Sequence, residues 1–195
     1  ADAGHWDEAY LMLLRMQAPS WLYQVTKGAT TVWERWDAIR PDGSIHPGSM
    51  QPPPNVPDTN EESHMLSFNH YAYGAVIDWV YRNLAGLAPD PDVPGYRRVR
   101  LAPRPTAGIH WARASVETAY GTVSTSWQVE GDRFSAQMEL PFGTSGWFVP
   151  PATLASTITI DGELVAGGSI VLGPGRHEVS VTAPLVAGTT QASVA

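Results

Sequence analysis

The chain has 195 residues, 43 % of them hydrophobic and 16 % charged, with a formal net charge of −7; this is an ordinary globular composition with room for one sizeable core or two small ones. The acidic balance, relieved only by the cluster Arg97-Arg98-Val99-Arg100, argues against nucleic acid as a partner, and the absence of cysteine excludes a disulfide scaffold or thiolate metal site while leaving the compartment open. No apolar run approaches the ~20 residues that cross a bilayer, and the first residues lack a signal-peptide layout, so a soluble chain with no membrane partner is expected.

Trp6, Ala9, Tyr10, Leu13 and Leu14 recur at helical spacing. They predict a helix over about 6–17 whose apolar circumference, widened by Leu11 and Met12, needs neighbours to cover it. A helix beginning so close to Ala1 is what a cut chain would show. Pro19 ends it by pushing the preceding residue out of helical geometry, and an irregular stretch follows to Asp37. Residues 41–62 hold Pro41, Pro47, Pro52-Pro53-Pro54 and Pro57, and are read as a long loop. A second helix is predicted from an Asn69 N-cap, with Phe68 and Tyr73 as a hydrophobic staple. Tyr73, Val76, Ile77, Val80, Tyr81 and Leu84 form its apolar face, and Gly86 caps its end.

From Tyr96 onward the pattern changes to short alternating runs between turn residues. Val123, Thr125, Trp127 and Val129 point to one side, and Phe134, Ala136, Met138 and Leu140 do the same after the turn Glu130-Gly131-Asp132. Asp161-Gly162 signals another hairpin behind Ile158 and Ile160, and a final strand is expected over 177–181. About a hundred residues of this kind suit one antiparallel β-sandwich. The fold class is therefore α+β, with a helical part over 1–90 and a β domain over 91–195. Two helices and a loop cannot bury such apolar faces alone, so the helical part must dock on something.

Two segments carry chemistry. Gly28-Ala29-Thr30-Thr31-Val32-Trp33-Glu34-Arg35-Trp36-Asp37 sets a lone carboxylate between two tryptophans, a surface suited to holding a sugar ring over an acid or base group. Ser67-Phe68-Asn69-His70-Tyr71-Ala72-Tyr73-Gly74 opens a helix with an amide and an imidazole. In this order they resemble the end of the catalytic barrel of the inverting bacterial α-L-rhamnosidases, glycoside hydrolase family 78. The resemblance covers roughly residues 4–150. It implies the final helices of an (α/α)6 barrel followed by a C-terminal β-sandwich, and no cofactor. It further implies a rhamnose-containing glycoside as substrate, Glu34 as general base and His70 as a rhamnose contact. Inverting hydrolysis needs two carboxyl groups, and the family's general acid falls upstream of this chain. The resemblance thus implies a missing N-terminal part of the same enzyme as partner, and a chain that is inactive alone.

Each residue also has a plainer reading. Thr31-Val32-Trp33-Glu34 satisfies the capping-box pattern, in which Glu34 reaches back to the Thr31 amide. Trp33 and Trp36 either stack on the sugar or pack a core. His70 either bonds a sugar hydroxyl or assists the helix start, where a charged imidazole is disfavoured. Arg35 either keeps the base ionised or pairs elsewhere. The histidines at 5, 46, 64, 110 and 177 lack metal-ligand spacing, and Asp37 and Asp42 are not assigned as the acid. The rival functions are a non-catalytic carbohydrate-binding or interaction module, and an (α/α)-barrel hydrolase for another deoxy-sugar or uronic acid. Exposed aromatics on a strand face would favour the module, but Trp111, Trp127 and Trp147 read as buried or isolated.

Overall fold

The computed structural model describes residues 4–46, 66–106, 108–151 and 157–182. Two compact units divide the chain, Ala1–Val76 and Ile77–Ala195. The fold is α+β, and among the described residues no helix is long and apolar enough to cross a membrane.

In the first unit α1 spans Trp6–Leu14 and stops three residues short of the predicted end. Arg15 is already extended, and its carbonyl accepts from Ser20 Oγ. Of α1 only Tyr10 is buried; Leu11 stays 59 % exposed, so the predicted apolar stripe is largely uncovered in this chain. The stretch read as irregular contains a second helix, α2, over Trp21–Thr26. Its cap is Ser20, whose buried side chain accepts from the Tyr23 amide at 3.1 Å. Residues 38–46 fold back as a tight hairpin. Its turn is set by Gly43 at φ 86° and by Asp42 Oδ1, which accepts from the Ser44 amide and hydroxyl, and His46 N donates to Ala38 O at 2.9 Å. The rest of the proline-rich segment to 62 lies outside the described residues.

The second predicted helix is three short pieces in succession. A 3-10 turn over Tyr71–Ala75 is followed by α3 over Val76–Trp79 and by π-helical turns over Val80–Ala85. His70, not Asn69, takes the N-cap position, with no side-chain cap bond. The expected staple does not form, because Phe68 packs edge-on against Trp33 while Tyr73 turns to His70. Gly86 ends the run in the left-handed region as predicted, at φ 80°.

In the second unit β1 (Leu87–Pro89), β2 (Arg98–Leu101), β6 (Ser145–Phe148) and β9 (Ile170–Leu172) form one sheet, in the order β1-β2-β6-β9. The other is six-stranded, ordered β3-β4-β5-β10-β7-β8, from β3 (Trp111–Thr118), β4 (Gly121–Glu130), β5 (Arg133–Leu140), β7 (Thr157–Ile160), β8 (Glu163–Val165) and β10 (Gly175–Thr182). All pairs are antiparallel except β2 with β6, which is parallel and departs from the antiparallel expectation. The alternation read from the sequence holds: Val123, Thr125 and Trp127 are buried on β4, and Phe134, Ala136, Met138 and Leu140 on β5. The two sheets meet in this core. A Cβ on Gly146 of β6 would lie 2.8 Å from Leu140 Cδ1 of β5, so glycine there lets the layers approach. Both hairpins fall where the turn residues placed them, and Asp161 and Gly162 take the two positive φ values, 54° and 85°, of a type I′ turn.

Two polar contacts lead to measurable expectations. The buried Trp127 Nε1 donates to Leu84 O at 3.1 Å. Trp127→Phe leaves that carbonyl without its donor and is expected to cost about 1–3 kcal/mol in urea unfolding. Asp90 is buried, and Arg98 Nε donates to its Oδ2 at 2.7 Å while the Asp92 amide donates to Oδ1 at 2.9 Å. The Arg98 hydrogen bond, ahead of the backbone ones, holds the carboxyl below its ordinary value against the opposing effect of burial. A lowered folded-state pKa means that the native chain binds fewer protons. Its stabilisation is complete above the unfolded value of about 3.9 and is lost as pH falls through the folded one. Thermal midpoints should therefore fall on acidification below about pH 4, and less steeply in Asp90→Asn.

Candidate active site

The two motifs that the sequence singled out are tied together by backbone pairing. Glu34 N donates to Ser67 O at 2.9 Å, and His70 N donates to Val32 O at 2.8 Å. Thr31 Oγ1 donates to Phe68 O. The Glu34 side chain joins the same seam, because Ser67 N donates to Oε2 at 2.8 Å. The capping-box reading is thereby overturned: residues 31–37 are not helical, and Glu34 reaches an amide 33 positions away instead of that of Thr31. The carboxylate is half-buried, with Oε2 anchored and, among the described residues, no hydrogen-bond partner on Oε1.

The flanking tryptophans have separate fates. Trp33 is only 4 % exposed, its ring set edge-on to Phe68 at 5.4 Å between centroids, so its face is occupied by the core. Stacking on a sugar needs an open face. Trp36 is half-buried, edge-on to Trp21 at 4.5 Å and tilted towards Tyr73 at 6.5 Å. Tyr73 lies 4.9 Å from the His70 ring, and Tyr71, 91 % exposed, stacks near-parallel to His70 at 6.5 Å. A strip of aromatic rings thus runs from Trp36 through Tyr73 to His70. His70 Nδ1 is buried and, among the described residues, has no hydrogen-bond partner. A polar atom in that state is costly unless something bonds it.

Arg35 is paired with Asp37, Nε to Oδ1 at 3.5 Å. Among the described residues no group of three or more His, Asp or Glu side chains is placed to hold a metal ion. Sequence reasoning assigned no contact at the site to Ser67, to Tyr73 or to Gln24, whose Oε1 accepts from the Trp33 amide at 3.1 Å. Ser67 acts through its amide, which no side-chain pattern reveals; Gln24 and Tyr73 sat in segments read as irregular or as a staple.

Two family models match consecutive stretches of the chain. The bacterial alpha-L-rhamnosidase 6 hairpin glycosidase domain matches residues 1–84, and the bacterial alpha-L-rhamnosidase C-terminal domain matches residues 86–163. The chain belongs to the bacterial α-L-rhamnosidase family. It is 42 % identical over 151 residues to an α-L-rhamnosidase of Streptomyces avermitilis, covering 77 % of this chain and 13 % of that protein. An α-L-rhamnosidase of an Alteromonas species is 33 % identical over 151 residues, covering 77 % and 15 %. The crystal structure of the Streptomyces avermitilis α-L-rhamnosidase complexed with L-rhamnose superposes with a TM-score of 0.74 at 36 % identity, covering 93 % of this chain and 16 % of that one. The chain thus spans about one seventh of the length of the curated rhamnosidases it matches.

Proposed function

We propose that this chain is the C-terminal part of an inverting α-L-rhamnosidase and supplies the general base, Glu34, to a site completed by an upstream part of the same enzyme. In this reading residues 1–90 close an (α/α) barrel and residues 91–195 form a β-sandwich. The substrate is a glycoside ending in α-L-rhamnose. The observation that carries the reading is the seam between the motifs, which sets an anchored carboxylate beside an aromatic strip ending in the His70 imidazole.

The chemistry follows from that arrangement. With Oε2 held by the Ser67 amide, Oε1 is the oxygen left to take a proton from water. That water attacks the anomeric carbon from the face opposite the leaving group, while an upstream carboxylic acid protonates the departing oxygen. Inversion requires about 6.5–9.5 Å between the two carboxyls to admit the water. His70, half-buried at the end of the strip, contacts the sugar, and Trp36 offers the ring face on which the sugar rests; Trp33 is buried against Phe68 and takes no part in holding it. The first product released should be β-L-rhamnose. Proton NMR of the anomeric signal in the first minutes of hydrolysis reads this directly, and an α product would exclude inversion. The isolated chain is expected to leave an aryl α-L-rhamnoside intact, since it carries one carboxylate of the two.

One observation favours a second role for the β unit. Trp111, expected to be buried or isolated, is 67 % exposed at the start of β3, whereas Trp127 is buried and Trp147 half-buried. Trp111 lies opposite Gln128 in the β3–β4 register, an aromatic beside an amide, which are groups that sugars use. In the rhamnosidase that carries this chain, Trp111→Ala should weaken retention on a rhamnose-bearing polysaccharide in affinity electrophoresis and leave kcat on an aryl rhamnoside unchanged. Unaltered retention excludes this role.

A further inference from the structure

Gln24 lies on α2 and is 4 % exposed, and its side chain bonds the backbone of both residues that flank Glu34. Oε1 accepts from Trp33 N at 3.1 Å, and Nε2 reaches Arg35 O at 3.5 Å. A carboxamide holds an acceptor and a donor in one plane, so Gln24 bridges the bend at residues 33–35. Ser67 also bonds this segment, accepting from Glu34 N and donating to Glu34 Oε2. Gln24 is itself fixed: its own carbonyl accepts from Lys27 N at 3.1 Å and Ala29 N at 3.0 Å, and the Tyr23 hydroxyl donates to Ile39 O at 2.7 Å. The carboxylate thus sits on a backbone clamped between α2 and the second motif.

We propose that Gln24 is a positioning residue for the Glu34 carboxylate, a role that rests on reading Glu34 as the base. An aliphatic side chain in its place would leave the Trp33 amide without its acceptor in the interior, while the Arg35 carbonyl keeps the Ala38 amide at 3.3 Å, and the segment would rotate or slide to find a partner for the Trp33 amide. A base displaced by about 1 Å loses its line to the attacking water, which can cost on the order of 100-fold in rate.

The test is a double-mutant cycle in the rhamnosidase that carries this chain, on an aryl α-L-rhamnoside, with kcat corrected for the folded fraction by circular dichroism. Gln24→Leu should lower kcat by about 10- to 100-fold with KM nearly unchanged. Added to Glu34→Gln, it should lower kcat by less than about twofold more, because a residue that acts only through the base has nothing left to act on. Gln24→Glu keeps the size and the acceptor for the Trp33 amide but sets a carboxylate against the Arg35 carbonyl. It should lose about tenfold with the same lack of additivity, and it carries the test if the leucine variant does not fold. Full kcat in a folded Gln24 variant, or losses that multiply with Glu34→Gln, would overturn the inference while leaving the base assignment standing. Full kcat in Glu34→Gln would overturn both.

Discussion

Glu34→Gln, introduced into the complete enzyme proposed above, is expected to lower kcat by about 10²- to 10⁴-fold and to leave KM nearly unchanged. The substitution separates chemistry from structure because of how the carboxylate is held. Ser67 N donates to Oε2, and a glutamine carbonyl accepts the same bond. The backbone bonds from Glu34 N to Ser67 O and from His70 N to Val32 O are untouched, so the seam between the motifs should survive. What disappears is the oxygen that can take a proton. Thermal unfolding of the variant should therefore match the parent while turnover collapses. A folded Glu34→Gln enzyme with ordinary turnover would remove Glu34 from the mechanism.

The largest stability effect is expected at Gly86. Its φ of 80° lies in the left-handed region, and a Cβ built there would meet Pro103 N at 2.1 Å and the Ala102 carbonyl carbon at 2.4 Å. Both are backbone atoms, so no side-chain rotation relieves the contact. Gly86 O also accepts from Ala102 N at 2.7 Å, which pins the two segments at this distance. Gly86→Ala thus combines backbone strain with overpacking, together about 2–5 kcal/mol, enough to unfold a marginal domain. Denaturant unfolding of the chain checks this. A midpoint close to that of the parent would mean that the turn after Ala85 can open without cost.

How much of this was legible in the sequence depends on the range of the forces concerned. Strands β4 and β5 were readable residue by residue, because alternation is a local record of which face is buried. The Asp161-Gly162 turn was readable because two successive positive φ values demand those residue types. Helix α2 was not, because its six residues show too little periodicity and its cap lacks the acidic partner of a capping box. The parallel pairing of β2 with β6 joins residues 47 positions apart in register, and four-residue strands carry no trace of such a partner. At the site, the residue types that suggested sugar chemistry stood in plain view. Two of their meanings did not. Glu34 matched a capping box, and only a contact across 33 positions removes that reading. Trp33 and Trp36 are equivalent in sequence, yet Phe68, brought in by the second motif, covers one and not the other.

The measurement that bears most directly on the role of Glu34 compares two leaving groups. An activated aryl α-L-rhamnoside departs with little help from an acid, whereas an alkyl rhamnoside or disaccharide needs its oxygen protonated; both need water activated. If Glu34 is the general base, Glu34→Gln should lower kcat on the two substrates by similar factors. If activity on the activated substrate is largely spared while the other is lost, Glu34 is the acid, and its assignment as the base is wrong.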